Sequence, residues 1–284
     1  MASSLLRVQS QLTTRDLVLL GWLADHRLLT SFQIATALFP SLDYAQERLR
    51  TLYRLAVIDR FRPQRPDGGS YPYHYVLAQL GDDVVAAQRG DDLPRRDRAR
   101  RRREHLTSRA NLPHLLGVNA FFTDLAGYAR THPDAGLLRW WSAARCQQMG
   151  AFADDGDDVH VRTYTPTSRP DGHGIYTEHG HRVAFFLEYD TGTERPLSRL
   201  VDKLDGYLPL ARVTGQVWPV LFWLHSAERE AHLHQVLARD GARYPVATAA
   251  RDQPGHDNPA GAIWWLHGLP GRRMRLAELS PDTP

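Results

Sequence analysis

The chain has 284 residues, enough for two domains with buried cores, and its 42% hydrophobic and 24% charged content matches ordinary globular proteins. No run of eighteen apolar residues exists and the N-terminal "MASSLLRVQS" lacks a signal-peptide apolar region, so a cytoplasmic protein with no membrane partner is expected. The single Cys146 excludes a disulfide framework or a cysteine-cluster zinc site, and a net charge of +3 permits nucleic acid without demanding it.

In chain order, "TTRDLVLLGWLADH" at 13–26 predicts a helix with a threonine cap and Leu17, Leu20 and Leu23 at helical spacing. "TSFQIATALF" predicts a second, capped by Thr30 or Ser31 and ended before Pro40. "SLDYAQERLRTLYRLAVI" predicts a third. Its stripe of Leu42, Ala45, Leu49, Leu52 and Leu55 leaves Arg48, Arg50 and Arg54 largely off the buried face. The β-like runs "VIDRFR" and "YPYHYVL" flank the turn-rich "PQRPDGGS", which puts Arg62 and Arg65 on a hairpin. Three short helices followed by a hairpin form the pattern of a winged helix-turn-helix, whose third helix enters the major groove of double-stranded DNA. "LAQLGDDVVAAQRG" predicts a fourth helix that closes this domain at residues 1–90.

Residues 91–104, "DDLPRRDRARRRRE", form an expected linker. Arg95, Arg96, Arg98, Arg100, Arg101, Arg102 and Arg103 make it solvated and self-repelling, suited either to DNA phosphates or to solubility alone. A second domain is expected over 105–284. It starts with a helix in "HLTSRANLPHLLGVNAFFTDLAGYAR". Strand-like runs follow at "LLRWWSAARC", "HVRTYTP", "HRVAFFLEYD", "VWPVLFWLH" and "AIWWLHG". Helical runs lie at "TERPLSRLVDKLDGYLPLAR" and "AEREAHLHQVLARDG", and the tail "LAELSPDTP" reads as frayed. The whole is α+β, with a mixed sheet in the second domain.

The chemistry concentrates at "RPDGHGIYTEHGHRVAFFLEYD", residues 169–190. If His179 and Gly180 are the centre of a two-residue turn, Glu178 faces His181 and Asp171 faces Glu188. Facing residues have Cβ atoms about 5 Å apart, so Asp171 and Glu188 can share one hard divalent cation, Mg²⁺ or Mn²⁺. Asp190 lies on the same face as Glu188. Of 35 basic residues only Lys203 is a lysine. It flanks the stripe of Leu197, Leu200, Leu204, Tyr207 and Leu208, on a helix expected to fold back over the strand that carries Glu188.

Asp171 in "PDG", Glu188 on the next strand and a following lysine resemble the PD-(D/E)xK nuclease core. The resemblance implies a restriction-endonuclease-like α/β domain, with Asp171 and Glu188 as metal ligands and Lys203 positioning or activating the attacking water. Asp190 occupies the position where that core usually carries its lysine. Most of residues 12–230 also resembles the replication-relaxation family of actinobacterial plasmids and integrative elements, through "LTTRDLVLLGWLADHRLLTSFQIATALF", "LPHLLGVNAFFTDL", "RPDG", "FFLEYDTGTERPLSRLVDKLDGY" and "VLFWLHSAERE". That resemblance implies a role in DNA relaxation or plasmid replication; double-stranded DNA is the expected partner, with a second copy of the chain and other plasmid replication or transfer proteins as further candidates. A relaxase reading of "HGH" is weaker, because glycine separates the histidines at a turn. Two functions stay open: a metal-dependent endonuclease or nickase using Asp171, Glu188, Asp190 and Lys203, and a non-catalytic DNA-binding regulator with a degenerate nuclease core.

Overall fold

Two capping boxes start the helices that the sequence predicts first. The Thr13 hydroxyl accepts from the Asp16 N–H while the Asp16 carboxylate accepts from the Thr13 N–H at 2.7 Å. Thr30 and Gln33 repeat the arrangement at 3.2 and 2.9 Å. The computed structural model describes residues 2–64, 68–107, 111–256, 258–269 and 271–279, and the chain divides into two compact units, 1–127 and 128–284.

The first unit runs through α1 (Ala2–Gln9), α2 (Thr14–His26), β1 (Leu29–Thr30), α3 (Ser31–Leu38) and α4 (Leu42–Arg54). It continues with β2 (Ile58–Phe61), β3 (His74–Leu77) and α5 (Gln79–Arg89). β3 lies between β1 and β2, antiparallel to both. The α4 stripe is buried as expected at Ala45, Leu49 and Leu52, each leucine contributing about 2 kcal/mol by leaving water. Gly81 in α5 has a packing reason. A Cβ there would stand 1.9 Å from the Val57 carbonyl oxygen, so only glycine lets the helix lie on the chain entering β2.

The arginine segment departs from the expected solvated linker. Residues Arg98–Thr107 form α6, with Ala99 and Leu106 buried. Leu106 packs with Leu28 and Val76 in a small core. Arginine is a good helix former, and the expected self-repulsion is offset by carboxylates. Arg101 meets Asp97 at 2.5 Å, Arg102 meets Asp82 at 2.9 Å, and Arg103 pairs with Asp59. α7 (Leu112–Thr131) starts at Leu112, so the single helix expected from residue 105 is two.

The second unit has β4 (Ala135–Ser142), α8 (Ala143–Cys146), α9 (Val159–Thr163), β5 (Gly172–Glu178) and β6 (His181–Tyr189). Then come α10 (Ser198–Asp205), α11 (Leu208–Thr214), β7 (Val220–Leu224), α12 (Ala227–Asp240), β8 (Val246–Ala250) and β9 (Trp265–Leu266). The six strands form one mixed sheet in sequence order. β4, β5 and β6 are antiparallel, β6, β7 and β8 parallel, and β9 antiparallel to β8. Phe186 and Phe222 share one buried cluster with Leu200 and Leu204 of α10, Leu210 of α11 and Leu233 and Leu237 of α12, so these helices cover one face of the sheet.

Three expectations fail here. "HVRTYTP" contributes α9 and no strand, because the Asp158 carboxylate accepts from the Val161 N–H and caps a helical turn. The long helix over 193–212 breaks at Gly206 into α10 and α11. The tail is not frayed through Leu279: residues Leu276–Leu279 form a 3₁₀ turn with Leu276, Ala277 and Leu279 buried, and 280–284 lie outside the described residues.

Arg48 gives a stability test for the first unit. Its guanidinium forks onto the buried Asp16 at 3.0 and 2.5 Å. Burial alone would raise the Asp16 carboxyl, but its hydrogen bonds with Arg48 and Thr13 outweigh this and hold it below the usual range. A depressed folded-state pKa adds stability above the usual carboxylate range, and the gain is lost as pH falls through the depressed value. Arg48→Ala should therefore cost about 3 kcal/mol at neutral pH. It should also move the acid limb of the stability curve to higher pH, as read by chemical denaturation.

Candidate active site

The site begins with a turn. His179 (φ 50°) and Gly180 (φ 81°) both adopt the left-handed backbone of a two-residue hairpin loop. Glu178 therefore pairs with His181 and Gly172 with Leu187, the register read from the sequence. Asp171, one step beyond β5, donates its N–H to the Leu187 carbonyl at 2.9 Å. Its Oδ2 accepts from the Tyr189 N–H at 2.8 Å, so it brackets Glu188 from the facing chain.

Side chains alternate along a strand, so Phe186, Glu188 and Asp190 point to the face covered by α10. Phe186 confirms the face by packing against Tyr207, the two rings tilted with centroids 4.6 Å apart. Lys203 and Tyr207, four residues apart at the α10–α11 break, close on Glu188. Lys203 Nζ lies 3.1 Å from Glu188 Oε2 and the Tyr207 hydroxyl donates to Oε1 at 2.6 Å. A second carboxylate, Glu194, meets Lys203 Nζ at 3.2 Å. Glu188 is 4% exposed, whereas the Lys203 side chain is 39% exposed, so the ammonium bridges a buried acid and solvent.

Burial pushes Glu188 up to about 7, the Asp171 charge pushes in the same direction, and Lys203 and Tyr207 pull against them. Burial works against the Lys203 ammonium, yet Glu188 and Glu194 outweigh it and raise its pKa, keeping the lysine charged at neutral pH. The Tyr207 hydroxyl is driven well above its ordinary value, first by burial and then by Glu188. It stays a hydrogen-bond donor. Burial likewise pushes the Cys146 thiol up to about 12, which removes it as a nucleophile.

Asp190 is engaged elsewhere. Arg229 grips it from Nε and Nη2 at 2.5 and 2.9 Å, and the Gly192 N–H donates to its Oδ2 at 3.1 Å. Glu194, Tyr207 and Arg229 are the functional candidates that sequence reasoning missed. Only Tyr207 leaves a signal, as a stripe residue four positions after Lys203. The histidine motif does not assemble a relaxase site: His179 and His181 are exposed at the turn, and of the two tyrosines that reading would use as nucleophile, Tyr176 is fully buried and Tyr164 partly so.

Six acidic residues are buried among the described residues, and each meets a cation. Asp16, Asp82, Glu178, Asp190 and Glu230 pair with Arg48, Arg102, Arg275, Arg229 and Arg273. Glu188 alone meets a lysine. Asp171 and Glu188 offer oxygen donors, the ligand type of Mg²⁺ and Mn²⁺, and their mutual repulsion is what a divalent cation relieves. Among the described residues no group of three or more histidine, cysteine, aspartate or glutamate residues is arranged to hold a metal. Any cation at this pair would complete its shell with water, as Mg²⁺ bound by one or two carboxylates does.

The candidate DNA contacts scatter more. Arg50 and Arg54 are exposed on α4, whereas Arg48 is committed to Asp16. Arg62 lies over the Tyr73 ring at 5.0 Å, beside Arg60 at 4.2 Å. Arg65 falls outside the described residues. In the arginine segment Arg95, Arg96 and Arg98 are exposed, Arg100 approaches Glu104 at 3.8 Å, and Arg101, Arg102 and Arg103 carry the ion pairs given above.

The raised Glu188 pKa has a measurable consequence. The folded chain keeps a proton that the unfolded chain releases, so this residue makes stability fall as pH rises from the usual carboxylate range to about 7. One proton gives a slope of at most about 1.4 kcal/mol per pH unit. Glu188→Gln should flatten that window in denaturation curves collected between about pH 5 and 8. Parallel curves for both proteins would remove the raised pKa.

The chain matches no curated protein and no solved structure significantly. A family model described as replication-relaxation matches residues 20–221, well over half of the sequence, a span that includes Asp171, Glu188, Lys203 and Tyr207. The chain belongs to the replication-relaxation family.

Proposed function

We propose that this protein is a divalent-metal-dependent DNA endonuclease of the nicking type. It would act in the replication, relaxation or transfer of a plasmid or mobile element. The family description supports the setting. The observation that carries the chemistry is the contact of the only lysine with Glu188 at 3.1 Å, with Asp171 next to it, its carboxylate accepting from the Tyr189 N–H at 2.8 Å. A helix, three antiparallel strands, a helical crossover and a parallel strand is also the order of a PD-(D/E)xK core, which supports reading the second unit as nuclease-like.

In this reading Asp171 and Glu188 hold one Mg²⁺ or Mn²⁺. Bound there, the cation would supply Lewis-acid polarisation of a phosphate and would make a nearby water more acidic. Lys203 places its exposed ammonium against the charge that develops on the phosphate oxygens. Tyr207 fixes the rotamer of Glu188, and Glu194 holds Lys203 within reach. Asp190 and Arg229 anchor the loop that presents Glu194.

The first unit would deliver DNA. The helix order, and the pairing of β1 with β3 beside the β2–β3 hairpin, support a winged helix-turn-helix with α4 as the recognition helix. Arg50 and Arg54 would face the major groove and Arg62 the backbone, with Arg95, Arg96 and Arg98 on phosphates. Arg48 takes no part, because Asp16 holds it. The regulator reading also has an observation in its favour: both oxygens of Glu188 already accept hydrogen bonds, from Lys203 and Tyr207.

Two measurements decide. Wild type should nick supercoiled plasmid with Mn²⁺, Asp171→Ala should not, and Lys203→Arg should lose on the order of 10²–10³ in rate while DNA affinity holds. A wild type silent with both Mg²⁺ and Mn²⁺ leaves the regulator reading. Separately, replacing Arg95, Arg96 and Arg98 together by serine should weaken binding to every duplex. The salt slope should flatten by about 0.9 for each phosphate that the variant no longer neutralises. An unchanged slope would make the segment a solubilising one.

A further inference from the structure

The loop between β6 and α10 has two sides, and the site described above uses one of them. On that side the Glu194 carboxylate touches Lys203, and its backbone oxygen accepts from Arg229 Nη2 at 2.8 Å. The loop is held hard at its base. Arg229 forks onto Asp190, and Arg251 donates to the Asp190 carbonyl at 2.7 Å. Gly192 (φ +82°) lies so close to His225 that a Cβ would stand 3.1 Å from the ring. Buried charges of this kind are poor sources of net stability and better explained as fixing a conformation.

The other side of the loop is open. Thr191, Thr193 and Arg195 line a cleft of about 810 Å³ together with His225, which follows β7, and His232 of α12. It lies outside the carboxyl ends of the parallel strands β6 and β7, the place where open α/β sheets take ligands. A volume of this order suits a small-molecule-sized guest, one or two nucleotides, and not a duplex. Most of the polar lining suits that guest, with the Glu228 carboxylate as the one group of opposite sign at the cleft. Exposed Arg195 and the threonine hydroxyls suit a phosphate, and two exposed imidazole rings offer faces on which an unpaired base stacks. Bases stacked inside a duplex cannot use those rings.

We infer that this cleft seats one or two nucleotides of an unpaired DNA strand beside the phosphate presented to Glu188 and Lys203. The substrate is then single-stranded or locally melted DNA. The position relative to the cut rests on the nickase reading; occupancy of the cleft by an unpaired strand does not.

The test uses the full chain at one salt concentration, with a fluorescent eight-nucleotide oligothymidylate and a duplex of mixed sequence. Arg195→Ala and His225→Ala should each weaken single-strand binding at least about fivefold, the low end for loss of one stacked base, and leave duplex binding unchanged. Arg50→Ala should do the reverse, and unchanged thermal unfolding of the variants shows that they fold. Equal single-strand affinity of wild type and both variants overturns the proposal. So does a parallel loss on duplex, or a wild type that ignores the oligonucleotide. Plasmid nicking separates the two readings. If wild type nicks and both variants nick with unchanged KM, the cleft fails and the nickase stands. If wild type never nicks but the variants lose single-strand affinity, the cleft stands and the nickase fails.

Discussion

The two-residue turn at His179 and Gly180 sets the register of β5 on β6, and the contacts around Glu188 depend on it. Strand periodicity is two, so a slip of one residue would rotate Glu188 to the opposite face of the sheet and bring Leu187 toward Lys203 and Tyr207. The turn prevents that slip because its left-handed pair of residues closes only one pairing. From it follow the bracketing of Glu188 by Asp171, the shared face of Phe186, Glu188 and Asp190, and the reach of α10 onto that face. Local turn chemistry thus decides a geometry that spans three elements.

The buried acids show how the chain treats charge elsewhere. Asp16, Asp190, Glu230 and Glu178 are each gripped by both arms of an arginine, an arrangement that satisfies two carboxylate oxygens with one rigid cation. Such a fork fills the site and leaves little for a ligand to do. Lys203 gives Glu188 a point charge on a flexible stem, in a side chain that is 39% exposed. In a sequence where 34 of 35 basic residues are arginine, that choice separates this acid from the others. Arginine has the geometry for holding, whereas a compact ammonium suits a position that must also admit a phosphate or water.

What can be read from the sequence follows the range of the interactions involved. The capped helices, the α4 stripe and the β5–β6 register from Gly172–Leu187 to Glu178–His181 rest on residues within a turn or a hairpin of one another, and each is legible. Lys203 is legible for a different reason, its rarity. The pairing of Glu194 with Lys203 and of Arg229 with Asp190 depends on the path of residues 190–197 and on a helix 39 positions away from Asp190, which no local pattern encodes. β8 escapes because "VATAA" is mostly alanine, a weak strand former that fits a strand buried on both faces between β7 and β9. α9 is hidden because alternation over a few residues weighs less than one aspartate cap. Arg48 is hidden as an ion-pair partner because the helical wheel shows which side a residue occupies, not which partner waits there.

Opposed carboxylates on neighbouring chains are unfavourable unless something offsets them. At Glu188 burial first and the Asp171 charge second push the carboxyl up to about 7, against the pull of Lys203 and Tyr207. Two residues along the same strand Asp190 receives an arginine fork, so the fold can neutralise an acid at this end of β6 and does so where the loop must be anchored. Glu188 departs from the fork pattern of Asp16, Glu178, Asp190 and Glu230, and it does so beside the only lysine of the sequence. Functional sites are where such local conflict is expected.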